Sequence, residues 1–148
     1  FEDQDLYNFL NPLINTANKN GGWNYDWDWY EPIQMTKYGL NQYYSWHKDA
    51  FQITYGEKQA KEWRGKDRKL SVIISLNDSK DYEGGELIFD NRLYEIEEER
   101  DLTKYECTQY KKQGTVIVFP STLYHKVNPI TKGIRHSLVI WCLGPPLR

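Results

Sequence analysis

The sequence predicts a mainly β fold, a β-sandwich or jelly roll with one supporting N-terminal helix. Three observations point there. Apolar residues at helical spacing are confined to residues 3–18. From residue 23 onward the chain falls into short strand-like runs, seven or more, separated by turn residues. Alternating strand–helix units are absent, which argues against a doubly wound α/β arrangement.

In the first segment Leu6, Phe9, Leu10, Leu13, Ile14 and Ala17 share one helical face, so residues 3–18 read as an amphipathic helix. Asn11-Pro12 either breaks it or starts a second turn, with Asn11 the cap and Pro12 the first residue. Gly21-Gly22 ends it. The period then becomes two. Trp23, Tyr25, Trp27 and Trp29 alternate with Asn24, Asp26 and Asp28, which predicts a half-buried strand with an aromatic face. Residues 33–38 and 42–47 follow as strands, split by Gly39. Residues 50–68 turn polar and charged and read as a long loop. Leu70–Leu76, Glu86–Phe89, Tyr105–Tyr110, Thr115–Phe119, Tyr124–Val127 and Ile134–Leu143 complete the strands, with Glu83-Gly84-Gly85 a turn.

The 148 residues suit one domain, with 1–22 as helical support and 23–148 as the β core. A balance of 19 basic and 21 acidic residues leaves no global basic field for nucleic acid. No apolar run approaches the roughly 18 residues of a membrane-spanning helix. The mean hydropathy of −0.80 does not signal disorder. Aromatic residues make up 16% of the chain, and each buries a large area. Cys107 and Cys142 make no disulfide framework; a single bridge is open, but reduced thiols in a cytoplasmic, soluble protein are expected. The chain begins at Phe1 rather than Met, which leaves a removed targeting segment open. Nothing in the sequence calls for a membrane or a partner chain.

Only three histidines are present. His47 and Asp49 lie two apart at the end of an expected strand, so both side chains can point at one ion. His125 sits on another expected strand, which a jelly roll can bring alongside. Two imidazoles and one carboxylate on one face of an ion leave its other positions open, the facial triad of non-haem Fe(II) oxygenases. Alone, a His-x-Asp pair is weak evidence. Arg135 adds to it. This residue alternates with Ser137, Val139 and Trp141 on an otherwise apolar strand, and an inward guanidinium is costly unless paired. Its partner is either an internal carboxylate such as Glu86 or a dianionic ligand. His136 points to the opposite face and reads as structural.

The order His47-x-Asp49, Gly84-Gly85-Glu86, Gly114 to Ser121, His125, Arg135 and Trp141 resembles the 2-oxoglutarate/Fe(II) dioxygenases. Within them it is similar to the prolyl 4-hydroxylase-like group, especially the PKHD-type hydroxylases. Tyr38 and Tyr44 stand in that group's tyrosine places ahead of His47-Lys48-Asp49. The stretch Phe119-Pro120 to Arg135 is closest to the PKHD pattern, and the resemblance covers residues 33–143. It implies a double-stranded β-helix. It implies iron held by His47, Asp49 and His125, and 2-oxoglutarate anchored by Arg135, with Tyr38, Thr115 and Trp141 around it. It also implies O2 as cosubstrate and ascorbate as reductant. Collagen-type prolyl hydroxylases carry Lys where Arg135 stands, so the chain departs from that subgroup.

The expected activity is hydroxylation of a C–H bond, first of a peptidyl proline in a protein or peptide substrate. The alternatives are a free amino acid or small metabolite, or a non-catalytic jelly-roll binding module. Tyr44, Trp46, Trp63, Arg64 and Trp27 are candidate substrate contacts. Trp27 belongs to the aromatic run at 23–29, which reads as either a platform or core packing. Trp63 and Arg64 belong to residues 50–68, which read as either a lid or a plain surface loop. Glu95, Glu97, Glu98 and Glu99 read as a solvated acidic face, and Cys107 as packing.

Overall fold

The computed structural model describes residues 4–50, 54–91 and 104–146; the acidic run at Glu95 to Glu99 lies outside them. The single long helix, α1, spans Gln4–Asn20 and passes through Pro12 without a break. It stops where expected. The Gly21 N–H bonds Ala17 O, and Gly22 takes the positive φ of 70° that a side chain disfavours. Its buried stripe is narrower than the periodicity suggests. Leu10, Ile14 and Asn18 are buried, while Phe9 and Leu13 remain exposed.

Strands β1 (Trp29–Tyr30), β2 (Gln34–Tyr38), β4 (Asp67–Ser75), β8 (Val116–Pro120) and β11 (Arg135–Gly144) build one antiparallel sheet. Its path runs β1-β11-β4-β8, and β2 also lies along β11. A second antiparallel sheet has the order β3 (Tyr44–His47), β9 (Tyr124–Val127), β6 (Leu87–Asp90), β7 (Lys104–Glu106). A ribbon of β5 (Tyr82–Gly84) and β10 (Ile130–Gly133) completes the strands among the described residues.

Side-chain alternation on β4 sorts the two cores. Leu70, Val72 and Ile74 point toward α1 and pack with Leu10, Ile14 and Ile140. Ile73 points the other way and joins Phe89, Phe119, Val127 and Ile130 between the sheets. The polar members of that second face, Ser71 and Ser75, are buried too. On β11 the same alternation puts Ser137, Val139 and Trp141 on the cleft side with Arg135, as their spacing predicts.

Three expectations need correction. Residues 23–28 are not a strand, because the ladder to β11 holds only Trp29 and Tyr30, opposite Leu143 and Cys142. The rest of that edge of β11 is taken by β2, from Arg135 to Val139. Residues 82–84 and 130–133 pair with each other rather than being turn and connection. The expected strand at 105–110 ends at Glu106 and passes into a short 3-10 turn, Thr108–Lys111. Both cysteines are free thiols. No helix among the described residues is long and apolar enough to cross a membrane.

Candidate functional site

Between the sheets lies a cleft of about 350 Å³. The register of β3 and β9 sets His47 directly opposite His125, and an irregularity between Tyr44 and His47 turns both of those side chains into the cleft. Asp49 follows the strand. Its N–H and that of Ala50 both donate to Ser121 O at 2.9 Å, which fixes the backbone beside β9. His47 Nε2 and His125 Nε2 stand 3.3 and 3.7 Å from Asp49 Oδ1. One ligand atom from each of the three residues lies within 4.8 Å of the others.

The hydrogen bonds around this triad decide which atoms face inward. His47 Nδ1 is 2.7 Å from Ser45 O, and His125 Nδ1 is 3.0 Å from Leu123 O. A carbonyl only accepts, so Nδ1 carries the proton and Nε2 offers its lone pair. Ser71 Oγ donates to Asp49 Oδ2 at 2.6 Å and leaves Oδ1 turned to the histidines. Burial works against the Asp49 charge, but the adjacent His47 and His125 rings, the Ser71 hydroxyl and the nearby Trp141 indole outweigh it and hold the pKa at about 2. Burial pushes the His125 imidazole below its ordinary range, against the pull of Asp49. Both shifts favour the protonation states that ligate metal.

Arg135 enters the same cleft from the first sheet and is 3% exposed. Its guanidinium lies 5.6 Å from the Tyr38 ring and 5.2 Å from the Tyr110 ring. Gly85, at φ 68°, makes room for it: a Cβ there would sit 3.2 Å from Arg135 Cδ and 2.5 Å from Ile130 Cδ1. Among the described residues no carboxylate forms an ion pair with Arg135. Glu86, the internal partner considered from sequence, does not. The buried Tyr82 hydroxyl lies beside the guanidinium and Tyr110, and the buried Trp141 indole N–H lies in the cleft wall near Asp49.

A sequence profile of the 2OG-Fe(II) oxygenase superfamily matches residues 33–143. The chain belongs to this superfamily. Curated relatives include a PKHD-type hydroxylase of Thermosynechococcus vestitus, 30% identical over 112 residues, which are 74% of this chain and 42% of that protein. Another, from Psychrobacter sp., is 32% identical over 111 residues, covering 74% of this chain and 37% of its own length. The chain thus spans about two fifths of the length of these relatives. A Pseudomonas putida prolyl-4-hydroxylase structure superposes with TM-score 0.60 at 19% identity, covering 95% of this chain and 68% of that one. A viral collagen prolyl hydroxylase from Paramecium Bursaria Chlorella virus-1 gives TM-score 0.63 at 18% identity, over 97% and 74% of the two chains. These likenesses establish the double-stranded β-helix fold.

The residues present fit the two groups that a 2OG-Fe(II) oxygenase holds. His47, Asp49 and His125 each bring a ligand atom within 4.8 Å of the others, as an iron site requires. A buried, carboxylate-free guanidinium in the same cleft suits a dianion. Of the remaining candidates, Tyr38, Tyr44 and Trp141 line the cleft. The Tyr44 ring lies 3.8 Å from the His47 ring, tilted by 38°.

Four others do not reach the cleft, and Trp46 turns away from it. Thr115 lines a separate surface depression with Asp78 and Lys111. Trp46 alternates away from His47, under the Lys126 and Lys104 ammoniums at 5.1 and 5.9 Å. Trp27 packs on the α1 core beside Tyr30. Trp63 faces a different depression, and exposed Arg64 bonds its own loop at Gln59 O. Residues 54–66 close on themselves through Tyr55 and Lys66, and none of them lines the cleft, so the lid reading has no support in that segment.

Sequence reasoning missed Ser71, Ser121 and Arg68. Serines at alternate positions of an apolar strand are the signal for the first. Arg68 lies where the β4–β11 register shifts, so alternation could not place it in the cleft, 3.6 Å over the Trp141 ring.

Proposed function

We propose that the chain is an Fe(II)- and 2-oxoglutarate-dependent hydroxylase acting on a C–H bond of a peptidyl proline. One observation carries the reading: the His47–Asp49–His125 triad and the carboxylate-free Arg135 line one cleft. Iron and 2-oxoglutarate, when bound, supply the oxidising chemistry, in which substrate, 2-oxoglutarate and O2 become hydroxylated product, succinate and CO2. The chain supplies geometry. His47 and His125 offer Nε2, each pre-set by its Nδ1 bond to backbone, and Asp49 offers Oδ1 while Ser71 holds Oδ2. Arg135 takes the far carboxylate of the cosubstrate, with Tyr38 beside it. Ile73, Val127 and Val139 keep the cleft wall apolar and water out.

The proline assignment draws support from the relatives and superposed structures, which are a PKHD-type hydroxylase and prolyl hydroxylases. The Tyr44 ring, tilted against His47, adds an aromatic surface to the same cleft. Ascorbate is the reductant we assign to keep the iron ferrous. Mass spectrometry of proline-containing peptides incubated with Fe(II), 2-oxoglutarate and ascorbate is the test. One oxygen gained on a prolyl residue, with matching succinate, is expected. Succinate release driven only by free amino acids would overturn the substrate.

A further inference from the structure

Trp63 and Trp29, left over from the cleft, meet at a second depression of about 540 Å³ that shares no lining residue with it. Building on the proline reading above, we propose that this depression docks a proline-rich segment of the polypeptide substrate, outside the reacting residue.

The walls set the chemistry. Tyr7, Trp29, Tyr30 and Trp63 present aromatic rings, and Gln4, Asn11, Asp28 and Pro32 complete the lining. The walls are built before any ligand arrives. Tyr7 and Tyr30 stack at 4.7 Å, the Tyr30 hydroxyl bonds Asn11 Oδ1, and Trp63 rests on Tyr55 at 5.4 Å. Preorganised rings bind without much loss of side-chain freedom. The lining offers donors, beside the exposed Gln4 amide, whose Oε1 accepts. No described residue engages the indole N–H of Trp29 or Trp63, or the Asn11 amide N–H, whose Oδ1 is already used. The carboxylate of the lining, Asp28, is neutralised by Lys66 Nζ at 2.7 Å.

A polyproline II segment is the complement of such a surface. Proline carries no N–H, so the segment presents carbonyl acceptors and apolar rings with few donors to satisfy. Aromatic-lined grooves are the recurring receptors for it. An organic cation fits less well, since it must displace Lys66 from Asp28 and from the Trp29 ring, 5.8 Å away.

One line of contacts joins this depression to the cleft. Trp63 packs on Tyr55, whose hydroxyl donates to Glu31 at 2.5 Å. Glu31 accepts two bonds from Arg68, and Arg68 covers Trp141 in the cleft wall. A docked segment and a reacting prolyl residue therefore bear on one rigid framework.

The test is fluorescence anisotropy of labelled octaproline against the full chain, without iron or 2-oxoglutarate, beside a Gly-Ser peptide of equal length. Octaproline is expected to bind and the Gly-Ser peptide not to. Trp29→Ser, at a side chain 44% exposed and so tolerant of change, should weaken binding by about tenfold or more. Asn11→Ala should weaken it less, and His125→Ala should leave it unchanged. Equal affinity in the parent and Trp29→Ser, or loss in His125→Ala, overturns the docking site. Because the readout needs no turnover, octaproline binding with no proline hydroxylation sinks the proposed substrate alone. Proline hydroxylation without octaproline binding sinks the docking site alone.

Discussion

His125 carries the least ambiguous assignment at the residue scale, because its two ring nitrogens have different partners: backbone on one side, Asp49 on the other. His47→Ala, Asp49→Ala and His125→Ala are each expected to abolish succinate formation, whereas His136→Ala, outside the cleft lining, should retain it. Full turnover by His125→Ala at parental iron loading contradicts the triad. Arg135 can be tested separately from the metal. A charged hydrogen bond contributes roughly 1.5–3 kcal/mol, and breaking a buried pair costs about 3–5. Arg135→Ala should therefore weaken 2-oxoglutarate binding by about two to three powers of ten. Arg135→Lys should fall between, keeping the charge and losing the planar fork. Anaerobic titration of the Fe(II) protein with 2-oxoglutarate measures both. Unchanged affinity in folded Arg135→Ala removes the anchor. The triad and Arg135 were legible because each is a chemically distinctive residue on a strand whose alternation is readable. Ser71 was not legible: its hydroxyl matters only because folding sets it 2.6 Å from Asp49.

Elements show a different limit. The extent of α1 follows from apolar spacing, but its orientation does not. Six apolar positions span a wide arc, and docking selects the i, i+4, i+8 line of Leu10, Ile14 and Asn18. The polar member belongs on that line because the Asn18 side chain exchanges two hydrogen bonds with the Tyr25 backbone, at 2.9 and 3.0 Å. Leu10→Ala is expected to cost about 2–5 kcal/mol, as a fully buried leucine does. Phe9→Ala, at 62% exposure, should stay within about 0.5 kcal/mol. Urea unfolding of the two variants decides it, and equal losses contradict the docking line. The 23–29 run failed for a related reason. Alternation tells which side chains share a face, but a strand also needs a free edge, and β2 already occupies most of β11.

Across the whole molecule, the triad sits where the two sheets meet. His47 and His125 belong to the second sheet, while Asp49 is held through Ser71 by the first. A divalent ion on these ligands ties the sheets together, and unfolding must release it. Binding to the folded state alone adds RT ln(1 + [L]/Kd), about 2.7 kcal/mol at a hundredfold excess over Kd. For a chain of this size that corresponds to a rise of roughly 5–10 °C in melting temperature. Mn(II), which does not turn over, serves as the probe in thermal unfolding followed by circular dichroism. The rise should grow with the logarithm of Mn(II) concentration and vanish in His125→Ala. 2-Oxoglutarate should add a further rise in the Mn(II) protein and much less without metal, because its two ends need both the ion and Arg135. Arg135→Ala should keep the first rise and lose the second. An equal 2-oxoglutarate effect with and without Mn(II) would show that Arg135 binds the dianion without help from the triad, and would separate the two halves of the cleft.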